Sequence, residues 1–136
     1  MVFEKVYMIF IVDDNLDDIE LTTIALASSG PGIHVKSARD GMTALRMLRS
    51  DEEAPNLILI DIKMPGMSGL DTLREIRADG RLKKIPVVMV TSSSLDSDRE
   101  KSLKAGASGF LYKSLSFSKF SSDLSTILDK WLPGQA

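Results

Sequence analysis

Carboxylates, a threonine and a lysine stand at the ends of apolar runs in this sequence. They are Asp13 and Asp14 in IVDDN at 11–15, Asp61 in LILIDIKMPGMSG at 57–69, Thr91 in VMVTSS at 88–93 and Lys113 in GASGFLYK at 106–113. Brought together, three carboxylates repel strongly and need a cation to coexist ionised. The ligands on offer are hard oxygens, because there is no cysteine and the single histidine, His34, lies in a different run. Such a cluster suits Mg²⁺, with waters completing an octahedron. A structural zinc site has no ligands here. Each residue also has an ordinary alternative: Asp13, Asp14 or Asn15 can cap a helix, Thr91 can start one within TSSS, and Lys113 alone is a solvated lysine.

The elements that would position these residues follow from hydrophobic period. Compact apolar runs predict strands at 6–12, 33–38, 57–60, 87–90 and 110–112. Apolar residues on consecutive positions suit strands covered on both faces, hence a parallel sheet. Helical period predicts helices at about 16–28, 41–50, 70–78, 96–105 and 118–131, the last with Phe120, Leu124, Ile127, Leu128 and Trp131 on one stripe. Gly30, Gly80 and Gly106 sit where helices should stop, and Pro133-Gly134 ends the fifth. Right-handed crossovers then place helices on both faces of a doubly wound α/β sandwich of three layers. With strand order 2-1-3-4-5, the first and third strands are neighbours, and four strands deliver their polar residues to one carboxyl edge.

Composition bounds the function. A chain of 136 residues, 43% hydrophobic and 26% charged, reads as a single domain over 1–136. A net charge of −2 gives no electrostatic case for nucleic acid or an anionic membrane surface as partner. The opening VFEKVYMIFIV reaches Asp13 too soon to span a bilayer and has no small-residue cleavage site, so a cytoplasmic protein is expected.

The ordered set IVDDN, LILIDIKMPGMSG, VMVTSS and GASGFLYK resembles the receiver domain of bacterial two-component response regulators, over residues 7 to 131. DNLDDIELTTIAL, GRLKKIPVVMVTSSS and the closing KWL are similar to the small stand-alone regulators that partner bacterial phytochrome histidine kinases. The resemblance implies a flavodoxin-like (βα)5 fold and a phosphoprotein that catalyses its own phosphorylation and slow dephosphorylation. Asp61 would take a phosphoryl group from a kinase histidine. Asp14, Asp61 and the Lys63 carbonyl would bind Mg²⁺, with Asp13 holding a metal-bound water. Lys113 and Thr91 would contact the phosphoryl oxygens, helped by the backbone N–H groups of Ile62 and Ser92. Lys63 and Ser93 would set the lifetime. Thr91 and Phe110 would form the switch, and the face of helix four, strand five and helix five, including Phe117, Phe120 and Leu124, would serve a homodimer or target. Leu16, Ile19 and Thr23 are candidates for kinase contact, and Met64 and Met67 either meet the kinase or pack the turn. With nothing after Trp131 to form a second domain, the expected output is a partner or a dimer.

Two departures stand out. Phe110 replaces a common tyrosine, and so has no hydroxyl to offer a partner. Ser114 stands where the family has a proline, usually after a cis bond. Before serine a cis bond costs roughly 2.5–4 kcal/mol, against about 0.5–1 before proline, so a trans bond is expected, or a strained cis one if packing overrules it, with a less tightly specified 114–116 loop either way.

Other functions fit less well. A phosphohydrolase of the haloacid-dehalogenase type needs a second Asp two residues after the nucleophile, where Lys63 stands. A nucleotide or flavin binder wants a glycine-rich cradle after the first strand, where IVDDNLDD presents carboxylates. A non-phosphorylated docking module on the same fold, with a weakened site, is the remaining alternative.

Overall fold

The computed structural model describes residues 6–29, 32–92 and 96–132. Strands and helices alternate through these residues: β1 (Tyr7–Val12), α1 (Leu16–Ser28), β2 (Ile33–Ala38), α2 (Gly41–Ser50), β3 (Leu57–Asp61), α3 (Gly69–Ala78), β4 (Val87–Thr91), α4 (Asp96–Lys104), β5 (Gly109–Tyr112) and α5 (Phe117–Trp131). The strands form one parallel sheet in the order β2-β1-β3-β4-β5, as expected of the flavodoxin-like doubly wound fold.

Strand side chains alternate between faces, so each consecutive apolar run feeds two cores. Phe10, Val12, Ile58, Ile60, Val87 and Met89 face one core, closed by α2 and α3 through Leu45, Leu48, Leu73 and Ile76. Ile9, Ile11, Leu57, Leu59, Val88 and Val90 face the other, closed by α1 and α5 through Ile19, Leu26, Leu124 and Leu128. Leu57 to Ile60 are all essentially inaccessible. Each such side chain contributes about 1.5–3 kcal/mol on burial, which makes β3 the rigid centre of the sheet.

This packing corrects part of the expected partner surface. Phe120 and Leu124 are core, because the apolar stripe of α5 is turned onto the sheet. Met64 is likewise buried, with Met67 packed beside it, so these methionines fill the turn after β3. Ile19 is core as well, while Leu16 stays exposed. His34 is an exposed residue of edge strand β2. Gly106 adopts a left-handed φ of 101° where α4 ends, its N–H donating to the Leu103 carbonyl. Gly30 and Pro133-Gly134 lie outside the described residues.

Candidate functional site at the carboxyl edge of the sheet

Strand register assembles the site. Val12 pairs with Ile60, so the next residues, Asp13 and Asp61, leave adjacent strands side by side. Asp61 itself pairs with Val90, and Thr91 with Tyr112. The Lys113 N–H donates to the Thr91 carbonyl at 2.7 Å, bringing the last strand's lysine to the same edge. Both β3 and β4 therefore run one residue beyond the expected ends, and Asp61 and Thr91 are held by the ladder itself.

The carboxylates of Asp13, Asp14 and Asp61 each offer an oxygen within 4.8 Å of the others. Asp13 is 4% and Asp61 9% exposed, whereas Asp14 is half-buried. Asp14 is not the helix cap: Asn15 caps α1, its side chain accepting from the N–H groups of Asp17 at 2.9 Å and Asp18 at 3.2 Å. Asp13 Oδ1 in turn accepts the Asn15 N–H at 3.0 Å, which fixes the carboxylate by its backbone neighbour.

Lys113 lies across the cluster. Its Nζ donates to Asp13 Oδ2 at 2.7 Å and to Asp18 Oδ2 at 2.9 Å, with Asp61 Oδ2 at 3.8 Å. Burial alone would lower the pKa of this ammonium. The hydrogen bonds to Asp13 and Asp18 and the charges of Asp13 and Asp61 outweigh that effect and raise it. Burial also dominates at Asp61, whose carboxyl is pushed up to about 6. The Lys113 charge and a hydrogen bond from the Lys63 backbone oppose the shift, while Asp13 and Asp14 add to it.

The backbone N–H groups beside Asp61 differ in what they meet. The Ile62 N–H donates to the Val90 carbonyl at 3.0 Å, because the ladder continues past Asp61. The N–H that reaches Asp61 belongs to Lys63, whose side chain is exposed. Thr91 is 1% exposed, and Ser92 beside it is exposed. Phe110 packs, half-buried, at the edge of the core closed by α2 and α3. Ser93 lies outside the described residues.

After Lys113 the chain proceeds through a trans bond, since no cis peptide occurs among the described residues. Hydroxyls organise the loop that was expected to be loosely specified. Ser114 Oγ accepts the Ser116 N–H at 3.1 Å, and Ser116 caps α5 by accepting the Lys119 N–H at 3.2 Å.

The site resembles others of known type. Residues 9–125 match the family model of the response regulator receiver domain. The chain belongs to this family. As a receiver domain it is 31% identical over 133 residues to the probable methanogenesis regulatory protein FilR2 of Methanothrix harundinacea, covering 95% of this chain and 86% of that one. Its fold superposes on the phosphorylated cyanobacterial phytochrome response regulator RcpA with a TM-score of 0.87, at 34% identity over 96% of this chain and 97% of that one. The Mn²⁺-bound form of response regulator Rcp1 gives a TM-score of 0.83 at 29% identity, over the same shares of the two chains. The hard-oxygen cluster of Asp13, Asp14 and Asp61 is compatible with a divalent metal site of the kind typical of receiver domains. Among the described residues, no helix is long and apolar enough to cross a membrane.

Two residues at this receiver site were not singled out from sequence. Asp18 is the second carboxylate on Lys113, and Gly69 packs on the Asp61 backbone. Asp18 follows the cap Asn15 by three residues, a spacing that keeps it over the same end of α1. Gly69 opens α3 immediately after its cap Ser68, and a glycine placed inside a helix despite its poor propensity signals a close approach.

Proposed function

We propose that this receiver accepts a phosphoryl group on Asp61 from the phosphohistidine of a sensor kinase, with Mg²⁺, and that the modification changes its partner contacts. The observation that carries the reading is a buried carboxylate at the end of the central strand, flanked by two further carboxylates and 3.8 Å from a lysine ammonium.

A carboxyl held near 6 is mostly ionised at neutral pH, so Asp61 is available as nucleophile. One of its oxygens attacks phosphorus in line, the P–N bond to the kinase imidazole breaks, and that ring regains its proton from solvent. Lys113 places positive charge beside the developing equatorial oxygens. Thr91 supplies a hydroxyl, and the Lys63 and Ser92 backbone N–H groups are the further donors. Asp14, Asp61 and the Lys63 carbonyl would hold a divalent cation, with Asp13 holding one of its waters, and the cation would supply charge neutralisation. Lys63, and Ser93 by resemblance, govern access of the water that later hydrolyses the acyl phosphate.

The kinase surface is the rim of this edge, where Leu16, Leu21, Leu115 and Phe117 are exposed. Similarity to phytochrome response regulators favours a kinase of that type. For output, α4 is the element most readily moved, because only Ser102 of its residues is buried. Thr91 and Phe110 couple it to the site by a population shift between two packings. Leu103 and Tyr112 are the exposed apolar groups of α4 and β5 that a homodimer or target would meet.

Intact mass after incubation with acetyl phosphate and Mg²⁺ tests the proposal. One added phosphoryl group, lost with a chelator and in Asp61→Asn, is expected; no adduct at any quench time would leave a non-phosphorylated docking module.

A further inference from the structure

Lys113 is held by more than the acidic cluster. An ammonium has three N–H donors in fixed tetrahedral relation. One is taken by Asp13 Oδ2 at 2.7 Å and one by Asp18 Oδ2 at 2.9 Å, while Asp61 Oδ2 at 3.8 Å lies beyond hydrogen-bond reach. Asp18 belongs to another element, the first turn of α1, and is not one of the three carboxylates that could share a metal. Its backbone N–H is tied to the Asn15 side chain at 3.2 Å, so the carboxylate projects from a capped and ordered turn.

We propose that Asp18 is a positioning residue for Lys113. With Asp13 it fixes two of the three N–H bonds and leaves the third for an oxygen of a phosphoryl group on Asp61. A lysine side chain pays a large rotamer entropy for being held in one place, and pre-fixing it removes that cost from the transfer step. Asp13 cannot perform this service alone, because it is also one of the cluster carboxylates and its charge is shared with any cation bound there. Asp18 keeps its hold whatever the cluster binds. This inference deepens the proposed phosphoryl transfer and rests on it.

The test is the rate of Asp61 phosphorylation by acetyl phosphate with Mg²⁺, followed by intact mass for wild type, Asp18→Ala, Asp18→Asn, Lys113→Ala and the Asp18→Ala/Lys113→Ala pair. Asp18→Ala should slow the reaction roughly two- to fivefold, the range a half-exposed ion pair supports. Asp18→Asn, which keeps an acceptor oxygen, should be intermediate. In the Lys113→Ala background Asp18→Ala should change nothing further. A second readout follows the Lys113 ammonium resonance by nitrogen-detected NMR, assigned by its absence from Lys113→Ala. It should exchange slowly in wild type and broaden or vanish in Asp18→Ala. An unchanged or faster rate in Asp18→Ala, an equal slowing without Lys113, or an unaltered ammonium resonance would overturn the role of Asp18. Failure of the wild type to gain a phosphoryl group would instead overturn the proposed function. If Lys113→Ala reacts too slowly to follow, the resonance decides.

Discussion

Gly69 packs directly on the backbone of Asp61: a Cβ at residue 69 would collide with the Asp61 carbonyl oxygen and stand 2.8 Å from its carbon. The Gly69 N–H also donates to the Ile62 carbonyl at 2.9 Å, so the start of α3 is stitched to the end of β3. The colliding atoms are backbone and cannot swing aside. Gly69→Ala should therefore lose about 1–3 kcal/mol by urea denaturation, the usual cost of overpacking, and should slow phosphorylation of Asp61 more than any surface substitution does. Wild-type stability and rate in this variant would show that the contact relaxes freely.

Asp61 makes stability depend on pH. Its carboxyl is raised from 3.8 to about 6 in the fold, so the folded state favours the protonated form more than the unfolded chain does. That contribution is fully present below the unfolded value and is lost as pH rises through the folded one. Metal-free wild type should lose stability between about pH 4 and pH 7, by at most about 3 kcal/mol from this group. Asp61→Asn should be spared, so denaturation curves of the two proteins in chelator should diverge over that window. Parallel pH profiles would contradict the shift.

Asp14 is the cluster carboxylate that Lys113 does not touch. Removing it therefore relieves repulsion without freeing the lysine. Asp14→Ala should be no less stable than wild type in chelator, yet should forfeit the stabilisation that Mg²⁺ gives wild type, about 2.7 kcal/mol at a hundredfold excess over the dissociation constant. Thermal unfolding with and without Mg²⁺ measures both effects. An equal Mg²⁺ increment in the two proteins would move the metal away from this cluster.

Arg77 is a structural rivet far from the chemistry. Its guanidinium donates to the carbonyls of Gly106 at 2.8 Å, Lys83 at 3.0 Å and Ile85 at 2.7 Å and to Ser108 Oγ at 3.2 Å, joining α3 to the loops before β4 and β5. Arg77→Met leaves these acceptors without the donor and should cost about 3 kcal/mol. Arg77→Lys should recover little, since an ammonium cannot reproduce the planar fork. Amide exchange should rise at residues 106–108 in both variants.

Much of this molecule could be read from residue order, for identifiable reasons. Leu57 to Ile60 is apolar at every position, as suits a strand buried on both faces, and short right-handed crossovers put helices on both sides of the sheet. The strand order itself entered as a condition, and the sheet has that order. Register was not readable. The apolar pattern stops at Ile60, but the ladder continues through Asp61 to the Ile62 N–H, so the donor facing the nucleophile is one residue further on, at Lys63. Asp18 was hidden for a related reason. In DDNLDD it looks like a solvated helix start, and only the fold, which brings the residue after β5 to the first turn of α1, reveals the lysine it meets. Phe120 and Leu124 show the converse: an amphipathic stripe says that a face is buried without saying against what, and here it is the sheet.

Phosphorylation of Asp61 is tested most directly by chemical trapping of the modified residue. Protein incubated with acetyl phosphate and Mg²⁺ is reduced with borohydride, which converts an aspartyl phosphate to homoserine, and is then digested and sequenced by mass spectrometry. Homoserine is expected at position 61 and at no other aspartate, with none in the chelated control. Trapping at Asp13 or Asp14, or no homoserine in a sample whose intact mass shows an adduct, would contradict phosphorylation at Asp61.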